Sequence, residues 1–164
     1  MRTSQCPAMG LAHANITIEN PKRSDLKPIE AKALADTGSL FLCIPESVQV
    51  QLQLESTSQK TVTTADGKSS ICPYVGPIRV RFENRECYVG GVVLGDEVLL
   101  GAVPMEDMDL VVSPPLRRVI VNPLNPNFAG GPVKGISKQT MMQWVARDDA
   151  EMVVFNRTTK RKQK

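Results

Sequence analysis

At 164 residues the chain has the length of one domain with a real hydrophobic core, and too little for two. Twenty basic against seventeen acidic side chains leave a net charge of +3, too mild for a domain organised around a polyanion. Cys6, Cys43, Cys72 and Cys87 are widely spaced with no Cys-x-x-Cys pair, which argues against a zinc ribbon, offers no obvious disulfide framework and leads us to expect free, mostly buried thiols.

In chain order, residues 1–9 lack periodicity and read as a disordered leader. Loose alternation through Ala12, Ala14, Ile16 and Ile18 predicts a strand over Leu11–Glu19, followed by a turn at Asn20–Asp25. Ile29–Ala35 is the next predicted strand, and it delivers Asp36-Thr37-Gly38-Ser39 at its end. Leu40–Ile44 leads away from that turn, and Pro45–Gln49 starts a short helix whose apolar face continues at Leu52 and Leu54. Thr61–Thr64, the turn Ala65-Asp66-Gly67-Lys68 and a long return from Ser69 to Phe82 form a predicted hairpin, because Asp-Gly between β-prone runs is a strong hairpin signal. After a turn at Glu83–Glu86, Cys87–Leu94 returns, Gly95-Asp96-Glu97 turns again, and Val98-Leu99-Leu100 runs into Gly101.

Pro104–Asp107 suggests a helical turn, and Leu110–Val112 with Val119–Val121 a last hairpin around Ser113-Pro114-Pro115. Many short strands with proline and glycine between them predict an all-β chain closed as an antiparallel β-barrel, with one or two short helices. Residues 124–164 read as a linker and a basic tail. Asn122–Gly135 is linker-like by composition, and Met141, Met142, Trp144, Val145, Met152 and Val153 form a weak helical stripe. From Lys138 onward there are seven basic and three acidic residues, ending in Lys160-Arg161-Lys162 and Lys164. A solvated tail accounts for that run better than a nucleic-acid contact does.

A carboxylate at the tip of an apolar strand is costly unless it is held, and Asp36 has Thr37 and Ser39 hydroxyls beside it and a turn-permitting Gly38. The tripeptide alone is an ordinary turn composition. Its combination with the hairpin and with Leu99-Leu100-Gly101 resembles the retropepsin-like aspartic peptidases, the single-domain relatives of retroviral protease. The string Leu99-Leu100-Gly101-Ala102-Val103-Pro104-Met105-Glu106-Asp107-Met108-Asp109 is similar to the small bacterial and archaeal branch of that clan. The resemblance spans residues 10–123 and implies an acid-protease barrel.

It further implies an endopeptidase with Asp36, Thr37, Gly38 and Ser39 at the catalytic site. Thr37 would interlock with its counterpart across a two-fold axis, and Ser39 would hydrogen-bond the outer carboxylate oxygen. The hairpin tip Ala65, Asp66, Gly67 and Lys68 would serve as a substrate flap, though retroviral flaps are richer in glycine. Leu99, Leu100 and Gly101 would support the active loop. Leu40, Phe41 and Ile44 are candidates to line the cleft, and core packing explains each of them at least as well. The chain has one Asp-Thr-Gly, so a second aspartate must come from a second copy. Two carboxylates a few ångströms apart share one proton, so that one activates water while the other protonates the carbonyl oxygen. The expected partners are therefore a second copy and a peptide or protein substrate, without cofactor or metal.

Other chemistries fit poorly. His13, the one histidine, falls in a predicted edge strand and reads as surface or structural, and no Ser or Cys sits in a nucleophile elbow. Glu106, Asp107 and Asp109 lack further ligands and read as helix-end charge. With no secretory leader pattern and no apolar run of membrane-spanning length, a cytoplasmic location without a membrane partner is expected. The competing reading is a catalytically silent dimeric module that holds a peptide or partner in the same groove.

Overall fold

The computed structural model describes residues 11–64 and 67–131. The expected leader, the hairpin-tip residues Ala65 and Asp66, and everything expected of residues 132–164 lie outside them. Nine strands and two short helices follow in order: β1 (His13–Glu19), β2 (Ile29–Ala35), β3 (Leu42–Ile44), α1 (Glu46–Gln51), β4 (Ser56–Thr63), β5 (Ser69–Phe82), β6 (Arg85–Val93), β7 (Leu99–Leu100), α2 (Ala102–Asp107), β8 (Leu110–Ser113) and β9 (Arg118–Val121). Among the described residues, no helix is long and apolar enough to cross a membrane.

The sheet order is β4-β5-β6-β3-β7-β2-β1-β9-β8, and a further pairing of β5 with β1 closes six of these strands into a barrel. Closure comes from Glu19, Ile18 and Thr17 pairing with Arg79, Val80 and Arg81. Contrary to the expectation from the sequence, the barrel is not purely antiparallel: β2 runs parallel to β7, and β3 parallel to β6. Parallel partners need a crossover connection rather than a hairpin, and residues far apart in the chain supply it. The consequence is local: β2 and β7 end side by side, with Ala35 opposite Leu100.

Alternation explains what fills the barrel. Ala14, Ile16 and Ile18 of β1 point inward together with Ala33, Leu42, Ile44, Val75, Ile78, Val80 and Leu100. Burying an aliphatic side chain of this size contributes roughly 1.5–3 kcal/mol. Leu52 and Leu54, downstream of α1, and Met105 of α2 with Met108 just past its end plug the barrel from the same cluster. Asn20 ties the β1–β2 turn to the end of α1, since its buried amide donates to the Leu52 carbonyl at 2.9 Å. His13 lies between β2 and β9, opposite Leu34 and Arg118, so it is not on an edge strand as expected.

The compact unit runs to Gly131. What holds residues 122–131 is Asp109, which acts as an anchor rather than as helix-end charge. Its carboxylate accepts from the Asn122 amide at 2.8 Å, the Asn125 amide at 2.7 Å and the Gly130 N–H at 2.9 Å. The buried Arg85 donates to the Asn125 carbonyl, and the Asn84 amide donates to that of Pro126 at 3.0 Å. The Asn122 amide, the Gly130 N–H and the Asn125 amide, with the Arg85 charge adding, hold the Asp109 carboxyl below the ordinary carboxylate range.

Folding thus lowers Asp109's affinity for a proton. Its contribution is complete above its ordinary value of 3.8 and fades as the pH falls through the lower folded value. Asp109→Ala is expected to lower Tm at neutral pH and to speed proteolytic nicking within residues 122–131. The Tm gap to the unsubstituted protein should close on acidification. Thermal scans at neutral and acid pH check this, and an unchanged neutral Tm refutes the anchor.

Candidate active site

Asp36 is the first residue beyond β2, where the parallel seam with β7 ends. Three backbone bonds grip the strand end: Leu34 N–H to the Val98 carbonyl at 2.9 Å, Ala35 N–H to Ala12 at 2.9 Å, and Asp36 N–H to Leu100 at 3.1 Å. The turn then closes on itself. Gly38 N–H donates to Asp36 Oδ1 at 3.0 Å, and Ser39 N–H to the Asp36 carbonyl at 3.1 Å. The start of α2 holds the far side, as Ala102 N–H donates to the Ser39 carbonyl at 2.8 Å and Val103 N–H to that of Leu40 at 3.1 Å. Those two N–H groups have no partner inside their own helix, so the loop satisfies donors that the helix leaves open.

Gly101 makes this junction possible. A Cβ there would collide with the Phe41 carbonyl oxygen and lie 2.8 Å from that of Ser39, and both are backbone atoms. Leu100 is fully buried in the barrel, whereas Leu99 faces the other way, onto a groove of about 580 Å³. Asp36, Gly38, Ser39, Leu40 and Phe41 line one side of that groove, and Thr61–Thr64 of the hairpin line the other. Cys43, Val92, Leu94 and Leu99 complete it. Asp36 is half-buried, while Thr37 and Gly38 are exposed.

The predicted site residues therefore fall into groups. Asp36, Gly38 and Ser39 share the groove, and Thr37 is exposed on the same turn. The Ser39 hydroxyl donates to the Phe41 carbonyl at 3.3 Å and meets Cys43 Sγ at 3.8 Å, instead of bonding the Asp36 carboxylate. Of the hairpin tip, the Gly67 N–H donates to the Thr64 carbonyl at 2.8 Å, and the Lys68 carbonyl accepts from the Thr64 N–H at 2.9 Å. Ile44 is not a cleft residue. It has the parity of Leu42 and points into the barrel core, and the residue between them, Cys43, faces the groove. Parity along β3 carried that information, as it did for Val92 on β6. The Thr61–Thr64 arm had no signal for its position beyond the hairpin itself.

Among the described residues lining the groove, Asp36 is the one charged side chain. The floor beneath it is apolar: Cys43, Cys72 and Val92 are buried, with Phe41, Val62, Tyr74, Leu94 and Leu99 packed on them. Burial pushes the Cys43 thiol up, and the Asp36 charge adds to that despite the Ser39 contact. A thiol so raised stays protonated at neutral pH and is a poor nucleophile. The arrangement suits acid–base work by a carboxylate at the edge of a partly desolvated groove. Comparison with known protein families and with curated proteins returns no match.

Gly101→Ala should force the Ser39–Phe41 backbone to move, at a cost of about 1–3 kcal/mol. Denaturant unfolding of the variant checks the cost, and wild-type stability would show that the close approach is not a constraint.

Proposed function

We propose that this protein is an aspartic endopeptidase of the retropepsin type, active as a homodimer in which the Asp36 side chains of two copies face each other. The observation that carries the reading is the placement of one gripped carboxylate at the mouth of an apolar groove roofed by a hairpin arm. Hydrolysis of a peptide bond without metal or covalent intermediate needs a base for the water and an acid for the carbonyl oxygen. One Asp36 removes a proton from water as the water oxygen attacks the carbonyl carbon, while the other gives its proton to the carbonyl oxygen. Collapse of the tetrahedral species returns a proton to the leaving nitrogen and breaks the C–N bond.

Substrate lies extended in the groove, between the loop Asp36–Phe41 and the arm Thr61–Thr64. Thr61–Thr63 of that arm belong to β4, which among the described residues is an edge strand paired only with β5, so the outer backbone groups of β4 are open to an added strand. Closing the hairpin over the peptide excludes water from the carboxylates.

Asp36→Asn is expected to lower cleavage of unfolded casein by about 10³-fold or more while the dimer persists in sedimentation. A heterodimer in which only one of the two copies carries Asp36→Asn should be equally inactive. Near-wild-type cleavage by either form would end the proposal. A statine-type inhibitor, whose hydroxyl mimics the attacking water, should block the unsubstituted enzyme.

A further inference from the structure

Beyond the Asp36 groove lies a second depression of about 270 Å³, and Phe41 is a wall of both. Phe41 meets Tyr74 edge to face, with ring centroids 5.8 Å apart at 68°. Tyr74 lies across β6 at Gly90, where any Cβ would collide with its ring. These two rings thus form a ridge, and a peptide leaving the groove toward the second depression must cross it.

Lys60 stands over that ridge. Its ammonium is 5.0 Å from the Tyr74 ring centroid and 6.0 Å from that of Phe41. It immediately precedes Thr61–Thr64, the arm that walls the groove. Stem and rings fix where the charge sits, but aromatic faces do not neutralise it. Among the described residues Lys60 has no carboxylate in ion-pair range; Lys27, Lys32, Arg117 and Arg118 also have none, but of these cations Lys60 is the one seated on aromatic rings. A half-buried cation is therefore held on the Phe41–Tyr74 rings, beside a groove whose one charged lining residue, among the described residues, is Asp36.

We propose that Lys60 is a specificity-determining residue that selects peptides carrying an acidic side chain where the chain crosses the Phe41–Tyr74 ridge. The assignment rests on the reading of the groove as a peptide site. It adds to that reading the chemical class of the preferred substrate. An incoming carboxylate would find a cation already positioned, so little side-chain order remains to be imposed on binding.

The test uses the full chain carrying Asp36→Asn, so that peptides bind without being cut. Fluorescein-labelled octapeptides of Val, Ala and Phe, with Glu, Gln or Lys placed at one position at a time, are titrated against it. At one position Glu should bind on the order of fivefold more tightly than Gln, and less so in high salt. Adding Lys60→Met, which keeps an apolar stem on the rings, should erase that difference, and Lys60→Glu should turn it into a preference for Lys. Equal binding of Glu and Gln at every position, or a Glu preference that survives Lys60→Met, overturns the assignment. Cleavage by the unsubstituted protein without any acid preference does so too, while leaving the peptidase reading intact. Conversely, a Lys60-dependent preference without cleavage upholds the assignment and sinks the peptidase. Failure of a natively folded protein to bind any of the peptides overturns both.

Discussion

The seam between β2 and β7 is the constraint from which the rest of the site follows. Because these short strands run parallel, their ends lie together, and Asp36 and Gly101 emerge at the same point of the barrel. The backbone of Ser39–Phe41 then packs on Gly101 at a separation no side chain tolerates. The first N–H groups of α2 complete the junction by donating to that same loop. Asp36 is consequently held by main-chain geometry on both sides, without an ion pair among the described residues.

The same strands that position the acid also build the floor beneath it. β3 has three residues and two environments: Leu42 and Ile44 enter the barrel core, and Cys43 joins the smaller cluster under the hairpin. Core packing and groove shape are thus coupled through one short segment. Volume changes at Leu42 or Ile44 would shift Cys43 and the Asp36 loop together, because dense interiors transmit strain. The Phe41–Tyr74 ridge extends this floor outward, and Gly90 on β6 leaves the room that Tyr74 needs.

Features encoded in neighbouring residues were legible before the structure. β2 spans Ile29–Ala35 and β5 spans Ser69–Phe82, the bounds that alternation and the Asp-Gly turn predict. The last hairpin and both short helices also fall where local signals place them. The parallel direction of these pairings was not legible from local signals, and only the resemblance placed Leu99-Leu100-Gly101, sixty-five positions on, against the Asp36 loop. Asp109 was misread for a related reason. A cluster of acids reads as surface charge, and the groups that bond Asp109 lie thirteen to twenty-one residues downstream. Ile44 is open between cleft and core in the sequence, and its parity with Leu42 along β3 turns it inward. Lys60 carried no local signal at all, because its meaning depends on two rings from other parts of the chain.

Under the proposed mechanism, one copy offers half of a catalytic pair, and the surface around Asp36 is consistent with that division. Thr37 and Gly38 are exposed at the loop tip, and Leu40 beside them is 56% exposed although it is apolar. Nothing in the stability of a lone barrel calls for a bare, rigid turn with an acid at its base. A second loop meeting it across a two-fold axis would remove water from both carboxylates at once, and their repulsion is what retains the single proton that hydrolysis needs. Rigidity is the requirement on each half. Two flexible loops could relieve that repulsion by moving apart, whereas loops locked onto Gly101 cannot do so without breaking the junction with β7 and α2. The glycine behind the acid would therefore act on the chemistry by refusing the carboxylates room to separate.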